Sequence, residues 1–418
     1  MGIFTRNRDQ NRNTNVENPD TPISSQAIIQ FFGLGQFSST GVIINLSNAM
    51  TIPAVFGAVE FLSNTIAGLP LNVYKKTETG REKQNAGIGV ILHDAVSDEM
   101  TSFDWRKYIM TRTLTGGRSI SYIERDANDR VVNIFPLDPS KVKISTNGMS
   151  KSYIYMHGTP QQITYNAREI IDIPFDVEQD GLTTVSPVLK NSETLGLAIA
   201  ATQYGAKFFQ NGGVPPFVIT GGFTSGQGMQ RASEDLQKAI KQQSKDNRLA
   251  LTLPDGHEIK PIGSDPEKSQ LVELKRFLIE EIARIYSLPP VFLQDLTHGT
   301  FSNTEQQDLH LVKHTIRRWV TQIEQELNLK LFGRNDPSMY VEFNLDGLLR
   351  GDFATRMSGY ATAIQNAIKT PDEVRSLENL PGIGGEANKL HIQGATVPLG
   401  SQSMSVQPST GEADEERV

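Results

Sequence analysis

Apolar side chains recur at helical spacing in several segments of this chain. Residues 55–67 have such a pattern, and residues 266–286 have a second one in which one apolar face is clear. The longest pattern predicts a helix from Ser302 to residue 331. Its apolar stripe consists of Leu309, Val312, Ile316, Val320, Ile323, Leu327 and Leu331.

The long helix has predictable ends. Ser302 and Glu305 have the spacing of a capping box, and Gly333 is a typical terminator. At about 1.5 Å per residue the helix is a rod of roughly 43 Å. We expect a rod of this length to act as a spoke in a larger assembly, because it is too long to be buried within one small domain.

Four further helices are predicted from their caps. One begins at Thr101-Ser102 and ends near residue 114, and one begins at Ser186-Pro187 and continues to residue 209. A third is capped by Asp352 and runs to residue 368. Thr370 and Glu373 form a second capping box, which begins a short last helix.

Strand patterns alternate with these helices. Residues 69–74, 119–124 and 131–135 are predicted strands, and more short strands follow up to residue 174. The first part of the chain is therefore predicted to be α+β. Between the helices 187–209 and 266–286 lies a small α/β insertion, with strands predicted at 217–220, 248–253 and 258–262 and a helix at 233–243.

Composition limits the remaining possibilities. The chain has no cysteine, which excludes disulfides and thiolate metal sites, and it has no apolar run long enough for a membrane-spanning helix. The polar residues 1–25 and 395–418 are predicted to be disordered, and the second segment ends in an acidic cluster.

The formal net charge is −7, and no long block of lysine or arginine is present. Proteins that hold nucleic acid tightly are usually basic, so DNA is either no partner or passes without being gripped. Lys313, Arg317 and Arg318 are a local exception on the long helix. They either form a solvated face with salt bridges between subunits, or contact DNA phosphates or a neighbouring subunit.

Motifs for phosphate and metal chemistry are incomplete. His310 and His314 could form a metal pair, but no third ligand is evident. The glycine-rich segment 221–228 lacks the lysine of a phosphate loop, and Gly382, Gly384 and Gly385 follow a helix rather than a strand. We therefore predict that the chain binds no cofactor and no metal.

Asp94, Asp98, Glu99 and Asp104 form a loose acidic cluster. Converging carboxylates are what a metal-dependent nuclease requires, whereas acids near a helix start are ordinary partners of the helix dipole. We predict no catalytic residue, with a metal-dependent DNA-processing enzyme as the alternative.

The order of several segments resembles the phage portal family, in the short form of lambda-like siphophages and their prophages. No single segment is unique, but their shared order is specific and covers about residues 50–392. The segments that carry the resemblance are Val59–Pro70, Tyr122–Ala127, Pro136–Pro139, Tyr204–Gly212, Glu280–Pro290, Phe301–Gln307, Ile323–Asn328 and Phe343–Phe353.

The resemblance implies a portal fold: a wing, a helical stem, a small α/β clip and a C-terminal helical crown, assembled as a ring of about twelve subunits. It places a disordered arm at 1–25, the wing at 26–185, stem helices at 186–212 and 266–290, the clip at 213–265 and a tunnel loop at 291–302. The long wing helix and a strand follow at 303–351, the crown helices at 352–394 and a disordered acidic tail at 395–418.

The implied function is that of a non-enzymatic channel, through which the terminase motor packages DNA and from which DNA is later ejected. The implied partners are other copies of the chain, the terminase large subunit, the head–tail connector protein, the major capsid protein and passing double-stranded DNA, with no membrane. The implied location is the portal vertex of the virion, after assembly in the host cytoplasm. A capsid scaffold protein is a further alternative.

Two sets of residues follow from the resemblance. The clip surface for terminase or connector would include Phe217, Arg248, Asp255 and His257. The tunnel loop would include Gln294, Asp295, Thr297, His298, Gly299 and Thr300.

Overall fold

The computed structural model describes residues 35–392 apart from 79, 149, 211–216, 222–225, 232, 236–237, 239–256, 262–266, 294–303, 335–337, 350–352 and 379. The chain divides into two compact units, Met1–Leu345 and Asp346–Val418. We call them the main unit and the C-terminal unit.

Several helices of the main unit form where the apolar spacing predicted them, whereas the short helices Leu46–Ala49 and Ile88–His93 were not predicted. The helices of this unit include α1 (Leu46–Ala49), α2 (Pro53–Gly68), α3 (Ile88–His93), α4 (Ser102–Gly116), α5 (Pro187–Lys190), α6 (Ser192–Gln210), α7 (Glu267–Ile285), α8 (Thr304–His310) and α9 (Arg317–Leu331).

The described strands are short and their pairing is antiparallel throughout. They are β1 (Gln36–Phe37), β2 (Ile43–Ile44), β3 (Leu71–Thr77), β4 (Gly80–Lys83), β5 (Ala95–Ser97), β6 (Met100–Thr101), β7 (Arg118–Arg125), β8 (Val131–Leu137), β9 (Val142–Thr146), β10 (Lys151–Tyr155), β11 (Ile163–Asn166), β12 (Ile170–Pro174), β13 (Phe217–Gly221), β14 (His257–Pro261) and β15 (Met339–Phe343).

The strands form small sheets rather than one large sheet. Their orders are β11-β10-β9, β12-β7-β8 and β15-β3-β4, with the pairs β1-β2, β5-β6 and β13-β14. This mixture confirms the predicted α+β class, and the strands predicted at 69–74, 119–124 and 131–135 are present as β3, β7 and β8.

The sheet β12-β7-β8 separates the long helix from the β5-β6 hairpin. The long helix packs along the β12 edge, where Glu326 accepts a hydrogen bond from the backbone N–H of Asp172 at 3.0 Å. The hairpin β5-β6 packs against β8, at the other edge. The long helix and the hairpin therefore lie on opposite edges of the same sheet.

The core of the main unit is formed where α2 packs against α4. Val59, Leu62 and Ile66 of α2 are fully buried, as is Trp105 of α4. The first three belong to the predicted apolar stripe, which explains why periodicity alone located this helix.

A buried arginine lies at the centre of this packing. Arg106 of α4 donates to the carbonyl of Ala67 at 2.8 and 3.1 Å and to that of Leu92 at 3.0 Å. Both carbonyls lie in the last turn of a helix, α2 and α3 respectively, where no backbone partner is available. The guanidinium therefore satisfies two helix C-termini at once, and their dipoles favour its charge. Burial lowers the pKa of Arg106 to about 10, so it stays protonated at neutral pH.

The long helix departs from the prediction of a regular α-helix. Between α8 and α9 the residues Leu311–Ile316 form a π-helix, which continues both without a break. Leu309, predicted to be in the apolar stripe, is 43% exposed, while Leu311 and Thr315 are buried in its place. The wider turn changes the phase of the helix, and the apolar face shifts with it.

The expectation that so long a helix would not be buried within one domain is wrong for residues 312–331, while its role as a spoke in a larger assembly stays a prediction. Its stripe from Val312 to Leu331 is buried, and the same face belongs to the core of the main unit. The sheet strands and helix together provide enough apolar surface to cover it.

The helix predicted from Ser186 to residue 209 is broken at Asn191. Ser186 caps α5 as expected, but α5 ends at Lys190 and α6 begins at Ser192. The side chain of Asn191 donates to the carbonyl of Pro187 at 2.8 Å. Asparagine side chains compete with backbone hydrogen bonds in this way, which weakens a helix at its interior.

The C-terminal unit contains α10 (Asp346–Leu349), α11 (Phe353–Gln365) and α12 (Pro371–Leu377). The predicted capping box is confirmed: Thr370 and Glu373 each accept from the backbone N–H of the other. Arg356 and Tyr360 both contact the carboxylate of Glu378, which fixes α11 to the end of α12. Among the described residues of the whole chain, no helix is both long and apolar enough to cross a bilayer.

We expect Arg106→Met to lower the free energy of unfolding of the main unit by about 2–4 kcal/mol, because the carbonyl of Ala67 loses its donor while buried. Urea unfolding followed by tryptophan fluorescence measures this unit alone, since the two tryptophans of the chain, Trp105 and Trp319, are both buried in it.

Lys107→Met is the matched control. Lys107 is the next residue on α4 and forms a half-exposed ion pair with Glu60 at 3.0 Å, which is worth about 0–1 kcal/mol. Equal losses in the two variants would contradict the role given to Arg106.

Candidate functional site

A groove of about 980 Å³ lies between the long helix and the strands β10 and β12. Its lining is rich in cationic side chains that come from distant parts of the sequence. These side chains are Arg118, Lys151, Lys313, Arg317, Arg318 and Lys330. We call this surface the basic groove.

The floor of the basic groove is a network in which charges are paired. Arg118 forms an ion pair with Asp172 at 3.0 Å, and the hydroxyl of Tyr153 donates to the same carboxylate at 2.8 Å. Glu326 pairs with Lys330 at 3.6 Å. Two cations and two carboxylates therefore cancel in the floor.

Burial shifts the titration of two groups in this floor. It raises the pKa of Tyr153, and the negative charge of Asp172 adds to the effect. Burial also raises the pKa of Glu326 above its ordinary value, because the attraction of Lys330 offsets the desolvation only in part. The floor is thus a hydrogen-bonded support, and the tyrosine stays neutral.

The rim carries the net charge. Lys151, Lys313, Arg317 and Arg318 form no ion pair with any carboxylate in the part of the chain that the structure describes. Four cations around a neutral floor give the groove a formal charge near four positive units, in a chain whose net charge is −7. Such a local reversal of sign marks a surface suited to an anionic partner.

Arg318 is held in place more firmly than the other two predicted contact residues. Its guanidinium donates to the carbonyl of Phe175 and stacks over the ring of Trp319, 4.8 Å from the centroid. Lys313 and Arg317 are exposed and make no hydrogen bond with a described residue. All three residues predicted as DNA or subunit contacts line one groove, and two of them remain available to a partner.

The π-helix explains why these cations lie together. From Leu311 to Val320, pairs of buried residues alternate with pairs of exposed residues at a strict interval of four. An α-helix with about 3.6 residues per turn would drift away from this interval, and the wider π turn before α9 offsets that drift. Lys313 and Arg317 therefore point to the same side, one turn apart.

The other groove residues were missed by sequence reasoning. Arg118, Lys151 and Tyr153 lie on strands, and Asp172 lies on another strand more than 100 residues before the helix. No local motif connects them, because the antiparallel sheet brings them to the helix. The available sequence signal was the alternation of apolar and cationic pairs in 311–320, which indicates a charged helix face at a four-residue interval.

The predicted histidine pair is close together, with the rings of His310 and His314 4.5 Å apart. In the described part of the chain, however, no group of three or more His, Cys, Asp or Glu side chains could hold a metal ion. The two exposed rings contact each other at an interplanar angle of 44°.

The predicted acidic cluster does not supply a group of three or more metal-ligating side chains among the described residues. Asp104 accepts a hydrogen bond from Thr101, which caps α4, and Asp94 contacts His93 at 2.7 Å. Asp98 and Glu99 occupy the turn of the β5-β6 hairpin, where both are exposed. Asp104 therefore supports the cap of α4, and Asp98 and Glu99 form a hairpin tip.

The residues predicted from the clip are described only in part. Phe217 and His257 begin β13 and β14, which pair with Phe217 opposite Pro261 and Gly221 opposite His257. Arg248 and Asp255 lie outside the described residues, as do the strand predicted at 248–253 and all six residues of the predicted tunnel loop.

The phage portal protein family matches residues 53–379. The probable portal protein of Streptomyces phage phiC31 is 28% identical over 362 residues, which is 84% of this chain and 79% of that protein.

Two solved structures share the fold. The crystal structure of a HK97-family phage portal protein from Corynebacterium diphtheriae matches with a TM-score of 0.52 and 17% identity, over 72% of this chain and 96% of that one. A chain from the neck of a native gene transfer agent particle, computed with C12 symmetry, matches with a TM-score of 0.54 and 17% identity, over 86% and 99%.

Ionisation of Glu326 should weaken the main unit as the pH rises. Folding raises the pKa of Glu326, so the folded chain keeps the proton at pH values where the unfolded chain has lost it. The free energy of unfolding therefore decreases as the pH rises above about 4.5. We expect Glu326→Gln to gain stability relative to the natural protein as the pH increases through this range, measured by urea unfolding at a series of pH values.

Glu60→Gln is the control with the opposite sign. The hydrogen bond from Lys107 lowers the pKa of Glu60, so its contribution is present above about pH 4.5 and is lost on acidification. The Glu60 variant should therefore lose stability relative to the natural protein as the pH rises. Parallel pH curves for both variants would contradict the opposite shifts.

Proposed function

Because the chain belongs to the phage portal protein family, we propose that it is the portal subunit of a tailed double-stranded DNA phage and that its copies form a ring around a DNA channel. The family match spans residues 53–379, which include the helices α6 and α7 of the main unit. We call these two helices the helical pair.

The observation that carries the ring is the exposed apolar surface of this helical pair. α6 and α7 pack side by side, with Gly205 against Leu271, and the strand pair β13-β14 lies between them in the sequence. Large apolar side chains nevertheless remain exposed on both helices: Tyr204 (47%), Phe209 (75%), Val272 (51%) and Phe277 (50%).

Exposure of several large apolar side chains on one helical pair is typical of a subunit interface. Packing the helical pair against its neighbours around a ring would bury these side chains. The same arrangement would form the stem of the channel from helices 186–212 and 266–290.

The remaining assignments follow the portal architecture. We infer that residues 26–185 and the long helix form the wing, that 213–265 form the clip, which docks the terminase large subunit and later the head–tail connector protein, and that 352–394 form the crown. The ring would lie at the portal vertex of the virion, next to the major capsid protein. This role requires placement and subunit contacts rather than a catalytic group.

The charge of the chain supports a conduit. Double-stranded DNA carries about one negative charge per 1.7 Å of its axis, so a strongly basic channel would bind and retard it. A net charge of −7 favours passage with weak, sequence-independent contact. The cations of the basic groove are a local exception, and they would contact DNA phosphates or a neighbouring subunit.

We expect the purified protein to form rings of about a dozen subunits, with a central hole visible by negative-stain electron microscopy and a matching mass in solution. Phe277→Glu should reduce ring formation, because it places a charge in the apolar stem contact. Monomers alone, over a range of salt and protein concentrations, would contradict the proposed function, and closed shells would favour a capsid protein.

Deletion of Gln294–Gly299 should leave rings intact and reduce the amount of DNA packaged or retained, because the predicted tunnel loop would contact the moving duplex. Packaging is measured as nuclease-protected DNA in particles made with the variant. A deletion of residues 7–12 in the N-terminal arm, of equal length, is the control. Unchanged packaging after the loop deletion would refute the tunnel-loop assignment.

A further inference from the structure

We propose that the basic groove of one subunit receives the β5-β6 hairpin of the neighbouring subunit, with Asp98 and Glu99 at its tip, in a head-to-tail contact repeated around the ring. This inference rests on the proposed ring and specifies one of its interfaces.

The hairpin has the shape and charge of a ligand for the groove. β5 and β6 pair with Ser97 opposite Met100, so Asp98 and Glu99 are the two residues of the turn. Both are exposed, and neither forms an ion pair or hydrogen bond with a described residue. A turn of two residues is the narrowest end that a strand pair can present.

The base of the hairpin is rigid. Val96 is fully buried, and the backbone N–H of Ser102 donates to the carbonyl of Asp94 at 2.9 Å. Arg106 holds the preceding helix α3 through the carbonyl of Leu92. A preorganised tip loses little conformational entropy on binding, which favours a specific contact.

The groove provides the matching half. Lys313 and Arg317 lie exposed on its rim, and Arg318 is fixed beside them by Phe175 and Trp319. The floor is already neutral, so two incoming carboxylates would be paired with rim cations and not repelled by Asp172 or Glu326.

The two surfaces cannot meet within one subunit. The groove lies at the β12 edge of the sheet β12-β7-β8, and the hairpin lies at its β8 edge. Complementary patches on opposite edges of one body make a heterologous contact, which closes into a ring when repeated by rotation. The cationic edge of each subunit would meet the acidic edge of the next.

The lining favours a protein partner over nucleic acid. Leu329 and Val177, 52% and 41% exposed, contribute apolar surface to the groove between its cations. Protein interfaces combine apolar contact with charged pairs in this way, whereas a surface that binds duplex backbone is dominated by positive charge.

The test uses the full-length protein and two double variants. The groove variant carries Lys313→Glu and Arg317→Glu, and the hairpin variant carries Asp98→Lys and Glu99→Lys. Each places like charges across the proposed contact, so each should reduce the ring fraction by about tenfold or more. All four residues are exposed, so tryptophan fluorescence should show unfolding close to that of the natural protein.

Mixing the two variants gives the decisive result. A cationic hairpin fits the acidic groove of the other variant, and the remaining natural hairpin fits the remaining natural groove, so the two kinds of subunit can alternate. An equimolar mixture should therefore recover rings, and an affinity tag on one variant should retain equal amounts of the other.

Lys75→Glu with Lys143→Glu is the charge control, since both lysines are exposed and the change in net charge equals that of the groove variant. It should form rings normally. If it also fails, net charge rather than this contact controls assembly, and the inference is overturned.

Other outcomes separate this inference from the proposed function. If the groove variant, the hairpin variant and the natural protein all form normal rings, the hairpin contact is refuted and the proposed function is not. Absence of rings from the natural protein refutes the proposed function itself. Two further results would also overturn the hairpin contact: normal rings of the groove variant that no longer retain duplex DNA would assign the groove to DNA, and failure of rings only after deletion of residues 411–418 would assign it to the acidic tail.

Discussion

The guanidinium of Arg106 connects three helices of the main unit. It satisfies the last carbonyls of α2 and α3 from its own position on α4, within a region where Trp105 and Leu62 are fully buried. A buried charge without a carboxylate is costly, and here the ends of two helices offset that cost. This contact joins the C-terminal ends of α2 and α3 to α4.

In the basic groove, at the β12 edge of the sheet β12-β7-β8, buried charges are also offset by nearby partners. Its floor pairs each buried charge with a partner, and its rim leaves cations exposed. Because the charges of the floor are paired, the groove is stable in the isolated subunit. Because the rim cations have no carboxylate partner among the described residues, the groove can still bind an anionic group. Because the support lies on β10, β12 and the long helix together, the groove exists only after the main unit has folded.

Much of the fold could be predicted from local patterns. The stripe Val59, Leu62 and Ile66 located α2, and the spacing of Thr370 and Glu373 located the cap of α12, because both depend on residues within two turns of one another. The break at Asn191 was not predicted, since it depends on a side-chain hydrogen bond that competes with an otherwise good helical sequence. The candidate site was predicted in part, because Lys313, Arg317 and Arg318 are neighbours on one helix, whereas Arg118 and Asp172 reach it through strand pairing.

The π-helical segment links the length of the long helix to the direction of its faces. A π turn holds about one residue more than an α turn, so conversion of Leu311–Ile316 to α turns at unchanged length would rotate the chain before it by roughly 100° relative to α9. Gln307 would then lie on another side of the helix while α9 stayed in the core. Loss of one residue together with the wide turn would leave the preceding faces nearly in place, so this stretch tolerates a matched deletion better than a substitution that removes the wide turn alone.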